Sequence, residues 1–311
     1  MIALSPPLRA ALYMTLCCAF VALSTFLAKA LGRGIGEEWG GEPMHPFEIV
    51  LGRYGFALLA LSVLMLWRRQ GLSGAPWGLY AGRSVFGWAG VTGLFAAAAM
   101  IPLADATAIS FLNPVFAMIL AILFLGERVG KVRWAAAAVA LAGGALLIRP
   151  GSGATEPGAL IALAAALFMA VEIIFAKLLA RREGVLRMLF CTNLLGAAVA
   201  LLAAAFVWRL PSAAELVMMA LVGWTMVTAQ ALFMATLKVT DASFATPFFY
   251  ATLVFAALYD ALWFGTIPTA LSFAGAGLIV AGAVLLALRD AKAGAARAPE
   301  PLPPPETVTK A

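Results

Sequence analysis

Ten long apolar stretches, parted by short polar breaks, fill the chain from Leu8 to Arg289. Read as helices, they cover about 8–31, 46–67, 76–99, 104–125, 131–149, 157–180, 186–208, 213–236, 242–264 and 269–289. A helix rises about 1.5 Å per residue, so roughly 20 apolar residues cross a hydrocarbon core of about 30 Å. A helix that is apolar on every face must be buried in protein or in lipid. A chain of 311 residues has no water-soluble core that would hold ten of them. The pattern therefore predicts an all-α integral membrane protein with ten transmembrane helices. Gly and Pro punctuate most of the breaks: Gly71 to Pro76, Pro102, Gly126 to Gly130, Pro150 to Pro157, Pro211 and Pro268.

Composition agrees, with 64% hydrophobic and 12% charged residues, where soluble domains sit near one half and one quarter. The net charge of +6 invites a polyanion as partner, but the basic residues stand singly or in pairs at helix ends. There they serve topology, and nucleic acid is excluded as a partner. With the N-terminus in the cytoplasm, fourteen Lys and Arg fall on the inner side, against Arg33, Arg149 and Arg209 outside. This bias places both termini inside a cytoplasmic (inner) membrane. The first stretch exceeds a signal-peptide core and reads as a retained span. Residues 290–311, rich in Pro and Ala, are expected to form a disordered cytoplasmic tail.

Cys17, Cys18 and Cys191 lie in apolar runs, and His45 has no neighbouring ligand, so neither a metal site nor a disulfide framework is expected. The GSG string at 151–153 lacks the lysine of a phosphate-binding loop. No cofactor is implied, and the energy for any transport must come from a solute or ion gradient. Ser, His and carboxylates are too sparse at membrane depth for an intramembrane enzyme. No ring of like polar residues recurs, as a channel would need.

The two halves resemble each other. STFLAKAL (24–31) matches EIIFAKLL (172–179), which aligns Lys29 with Lys177. ADATAISFLNP (104–114) matches TDASFATPFFY (240–250), and 125–148 matches 264–287. Five helices per half is an odd number, so equivalent helices cross in opposite directions. The expectation is two inverted repeats, 1–149 and 157–289, a common build for secondary transporters.

These residues also carry a family resemblance. RYGFALLAL (53–61), PLADATAISFLNPVFAMILAILFLGERVGKVRW (102–134) and DASFATPFFYATLVFAALYDALWFGTIP (241–268) resemble the EamA family of the drug/metabolite transporter superfamily. The chain departs from that pattern at Thr266, where a carboxylate is usual; Glu127 keeps it in the first half. The resemblance implies a secondary transporter working by alternating access, with the first to fourth and sixth to ninth helices around a central cavity. It implies movement of a small organic metabolite, amino-acid-like or drug-like, with export favoured. Uptake of a vitamin or nucleoside-like solute such as riboflavin is the alternative.

Several polar residues at membrane depth are candidates for the substrate site. Glu172, near the middle of the sixth helix, is a costly carboxylate there and suits a proton- or cation-binding role. Arg53 and Arg83 offer planar forks of donors for a carboxylate or phosphate. Asn113, with Pro114, interrupts the fourth helix, and Pro247 interrupts the ninth; both suit hinges. Gln230 and Tyr250 can orient a ligand. Trp88, Phe95, Phe111, Trp224, Phe248 and Phe249 are candidates for an aromatic lining. Lys29 and Lys177 read as interfacial anchors, and Asp260 as a water-exposed rim residue. GGA (143–145) and GAG (275–277) read as close-packing seams, with a homodimer as one use for them.

Overall fold

A computed structural model describes residues 6–34, 42–69, 71–125, 130–148, 156–180, 182–237 and 250–295, and every regular element among them is a helix. These described helices are α1 (Pro6–Arg33), α2 (Pro46–Arg68), α3 (Trp77–Met100), α4 (Leu103–Ser110), α5 (Asn113–Leu125) and α6 (Lys131–Ile148), followed by α7 (Pro157–Ala180), α8 (Val185–Ala204), α9 (Ala213–Leu237), α10 (Ala251–Phe264) and α11 (Ala270–Ala295). Among the described residues, six spans are long and apolar enough to cross a membrane, namely α1, α2, the α4–α5 unit, α7, α8 and α9. Shorter apolar segments lie in α6, α10 and α11. Arg83, Ser84 and several glycines dilute the apolar character of α3.

Local chemistry explains where the helices start. Pro46 opens α2, where its missing N–H would have had no helical partner. His45 caps it: Nδ1 accepts from the Phe47 N–H at 3.2 Å, and the Glu48 carboxylate accepts from the His45 N–H at 3.3 Å. The expected single helix over 104–125 is two, because Phe111 and Leu112 form a turn between α4 and α5. At that break Thr107 and Ser110 donate their hydroxyls to the carbonyls of Leu103 and Thr107, at 2.7 Å each. Asn113–Pro114 thus begins α5 instead of interrupting a helix, and Pro114 costs no helical hydrogen bond there. The last helix runs on to Ala295, past the expected end at residue 289. Pro247, Phe248 and Phe249 lie outside the described residues.

Packing follows the small residues. α3 lies closely along α7, α1 along α9, and α2 against α8 and α9. A Cβ on Gly90 would fall 2.7 Å from Met169 Cγ and 3.3 Å from the Ala165 carbonyl, so glycine is what lets α3 and α7 meet. α6 and α11 form an outer pair: a Cβ on Gly143 would meet the Gly275 carbonyl at 2.5 Å, and one on Gly282 the Ala136 carbonyl at 2.6 Å. Gly143 of GGA and Gly275 of GAG therefore pack on each other within one chain, whereas Gly277 faces open space. A continuous apolar core runs through the bundle, including Phe26, Ile49, Tyr54, Phe95, Ile109 and Val222.

Candidate functional site: a charged cavity among α2, α3, α7, α8 and α9

Arg53 and Tyr54 lie two turns into α2. On α3, Arg83, Gly87 and Val91 fall four residues apart, which puts them on one face. Leu189, Thr192 and Asn193 share a face of α8, Thr192 and Asn193 lying three and four residues after Leu189. Glu172 comes from α7 and Gln230 from α9. Together these ten residues line a cavity of about 60 Å³.

The charges in it are arranged unequally. Arg83 Nε donates to Glu172 Oε1 at 3.1 Å, so one cation and the carboxylate are paired. Arg53 is 8% exposed, and its guanidinium carbon lies 4.7 Å from the centre of the Tyr54 ring. Its Nη1 is buried and has no hydrogen-bond partner. Among the described residues the lining thus carries two guanidiniums against one carboxylate, an excess of one positive charge in a confined space. A buried unpaired charge is unfavourable, so such a cavity attracts an anionic group.

Glycines shape the walls. The absent side chain of Gly87 leaves room for Glu172, whose Cγ would lie 3.3 Å from a Cβ there. Gly196 on α8 admits the Tyr54 ring, whose Cε1 would approach a Cβ to 2.7 Å. The Ser84 hydroxyl donates to the Thr192 carbonyl at 3.1 Å and ties α3 to α8 beside the cavity. Asn193 Nδ2 donates to the Leu189 carbonyl at 2.8 Å, which holds its amide in place.

Arg53, Arg83, Glu172 and Gln230, four of the residues singled out from sequence, meet here. Others lie elsewhere. Trp88 packs on Phe47 with ring centres 5.3 Å apart, and its indole Nε1 is buried without a partner. Tyr250 stands edge-on to Phe111 at 5.2 Å. Asn113 Nδ2 reaches Met169 Sδ at 4.0 Å. Phe95 is core, and Trp224 is 52% exposed on the outside of the bundle. Tyr54, Thr192 and Asn193 were missed. Asn193 carried the same signal as Gln230, a lone amide in an apolar helix, and Tyr54 adjoins Arg53.

Lys29 and Asp260 are neither anchor nor rim: they form a buried ion pair, 0% and 1% exposed, with Nζ 2.5 and 2.8 Å from the two carboxylate oxygens. Amphipathic residues one turn from a helix end usually snorkel outward. Here the ends of α1 and α10 pack together, and each charge finds its counter-ion inside. At the same end of the bundle, Arg209 binds the Glu215 carboxylate, and its backbone N–H donates to Glu48 at 2.9 Å. Among the described residues no cluster of three His, Cys, Asp or Glu could hold a metal ion.

An all-helical bundle of apolar spans around a small charged cavity defines a multi-pass membrane transporter. The chain belongs to the EamA-like transporter family of the drug/metabolite transporter superfamily, whose model matches residues 8–149 and again 156–288. That makes it a transporter and not an enzyme. It is similar to the S-adenosylmethionine uptake transporter of Rickettsia bellii (strain RML369-C), 25% identical over 268 residues, which cover 86% of this chain and 92% of that one. It is also similar to the riboflavin transporter of Rhizobium johnstonii, 35% identical over 129 residues, 40% of this chain and 42% of that one. A solved crystal structure shares the fold, with a TM-score of 0.60 and 21% identity over 90% of this chain and 97% of that one.

Proposed function

We propose that the chain is a secondary transporter for a small zwitterionic metabolite, one bearing a carboxylate and a cationic group. The observation that carries this is Arg53 Nη1, buried and unbonded beside a cavity whose other cation is already paired with Glu172. A carboxylate on Arg53 would give that guanidinium a counter-ion. Glu172 is placed to receive the cationic end in exchange for Arg83, while Asn193 and Gln230 orient what lies between.

The names of the relatives bear on substrate and direction. Sequence alone favoured export, but similarity to uptake transporters along most of their length moves our reading to uptake, with an S-adenosylmethionine-like solute as the first candidate. The test is uptake into liposomes of labelled amino acids, S-adenosylmethionine, nucleosides and flavins. Accumulation of nucleosides or flavins alone, with no zwitterion moved, would overturn the reading.

Ten spans in two inverted repeats, with both termini cytoplasmic, complete the proposal. The packing supports the repeats, since α1 lies on α9 as α7 lies on α3, and α2 on α9 as α8 on α3. The two successive family matches support them as well. Reporter fusions after Arg9 and after Arg297 test the topology: a periplasmic signal from either one would refute it.

A further inference from the structure

At the end of the bundle where α1 stops, a small set of polar contacts ties the helices together. The buried Lys29–Asp260 pair joins α1 to α10. Asp260 also reaches beyond that unit: its Oδ2 accepts the backbone N–H of Leu103, the first residue of α4, at 2.8 Å. Arg33, one turn after Lys29, donates from Nε to the Ala99 carbonyl near the end of α3, at 2.9 Å. Between these contacts the backbones nearly touch, because a Cβ on Gly32 would lie 3.1 Å from Ala99 Cβ. α1 and α10 therefore grip the corner at residues 99–103 that joins α3 to α4.

These contacts differ in what their loss would leave behind. Pulling Lys29 away from Asp260 would strand two charges where water is scarce, a heavy penalty. Releasing Leu103 from Asp260 and Ala99 from Arg33 strands no ion, since the carboxylate keeps its lysine and Arg33 is exposed to solvent. The seam that can part is the one between the α1–α10 unit and the α3–α4 corner. α3 also carries Arg83, Gly87 and Val91 of the cavity wall, so displacing its end from α1 would widen the cavity. Some widening is required, because about 60 Å³ is far below the roughly 300–1,000 Å³ of metabolite pockets.

We propose that this seam is the gate on the side where α1 ends: the path opens there when Asp260 and Arg33 release the 99–103 corner, while Lys29 and Asp260 stay paired. The proposal rests on the reading of the cavity as the transport site. The experiment uses protein with Cys17, Cys18 and Cys191 replaced by alanine and Asn193→Cys as a reporter in the cavity wall. A membrane-impermeant maleimide is applied to each face of sealed vesicles. Gly32→Cys with Ala99→Cys is added to close the seam; their Cβ atoms would lie 3.1 Å apart, so a shift of a few tenths of an ångström brings them into the roughly 3.5–4.5 Å range of a disulfide.

The expected result is that oxidation abolishes labelling of Asn193→Cys from the face where α1 ends, and that a reductant restores it. In a second arm, Lys29→Met with Asp260→Leu removes the acceptor for Leu103 while keeping bulk, and labelling from that face should rise. Equal labelling with the seam oxidised and reduced overturns the gate and leaves the cavity reading standing. A reporter that labels from neither face in the reduced protein overturns both.

Discussion

Arg53→Met should weaken binding of a carboxylate-bearing ligand by about one to two orders of magnitude. Arg53 is 8% exposed, rests on the Tyr54 ring, and presents an unbonded Nη1 beside the cavity. A hydrogen bond to a charged group contributes about 1.5–3 kcal/mol net. At about 1.4 kcal/mol per tenfold, that is roughly a 10- to 140-fold rise in Kd. Methionine keeps much of the stem's volume, so the neighbouring packing is disturbed little. Arg53→Lys should recover only part of the loss, since an ammonium keeps the charge without the planar fork. The assay is titration calorimetry on purified protein with S-adenosylmethionine and its methyl ester. Wild type should prefer the acid, whereas Arg53→Met should bind acid and ester alike. A variant that discriminates between them as strongly as wild type does would refute the assignment of Arg53 to the carboxylate.

Three more outcomes are expected. Glu172→Gln should fold, because the amide oxygen can still accept from Arg83 Nε, and should lose any dependence of uptake on an imposed pH gradient in liposomes; undiminished coupling would leave Glu172 a structural residue. Lys29→Met should lower stability by about 3–5 kcal/mol by leaving Asp260 buried without its counter-ion, while Lys29→Met with Asp260→Leu should recover most of the loss. Unfolding midpoints in detergent decide this, and a double variant no better than the single one would contradict the argument. Gly90→Val should cost about 1–3 kcal/mol through overpacking of α3 against Met169 and Ala165, read as a lower midpoint; an unchanged midpoint would show that α3 and α7 can part freely.

Much was legible in the chain because a bilayer constrains it strongly. Backbone polar groups in lipid must be satisfied within their own segment, so apolar runs of about 20 residues read directly as spanning helices. Pro157 marked the edge of a break for a local reason, the fixed φ and missing N–H of proline. Arg53, Arg83, Glu172 and Gln230 stood out because ionised and amide groups are expensive at membrane depth. Cost identifies them, whatever the fold.

Cost does not say which of them meet. Helix rotation and tilt, set by contacts such as Gly90 on Met169 and Gly196 on Tyr54, bring Arg83 to Glu172 and leave Arg53 Nη1 without a partner at the cavity. Helix packing also turns Trp224 outward and places Trp88 against Phe47. The Lys29–Asp260 pair shows the limit most plainly. The two residues are 231 positions apart, and each one taken singly looks like an ordinary helix-end charge. Apolar pattern and residue chemistry determined that this chain enters a membrane as helices and which side chains would be costly there. Only the packing of those helices decided which charges cancel and which one stays open to a ligand, because electrostatic partnership depends on distances of a few ångströms that sequence order does not encode.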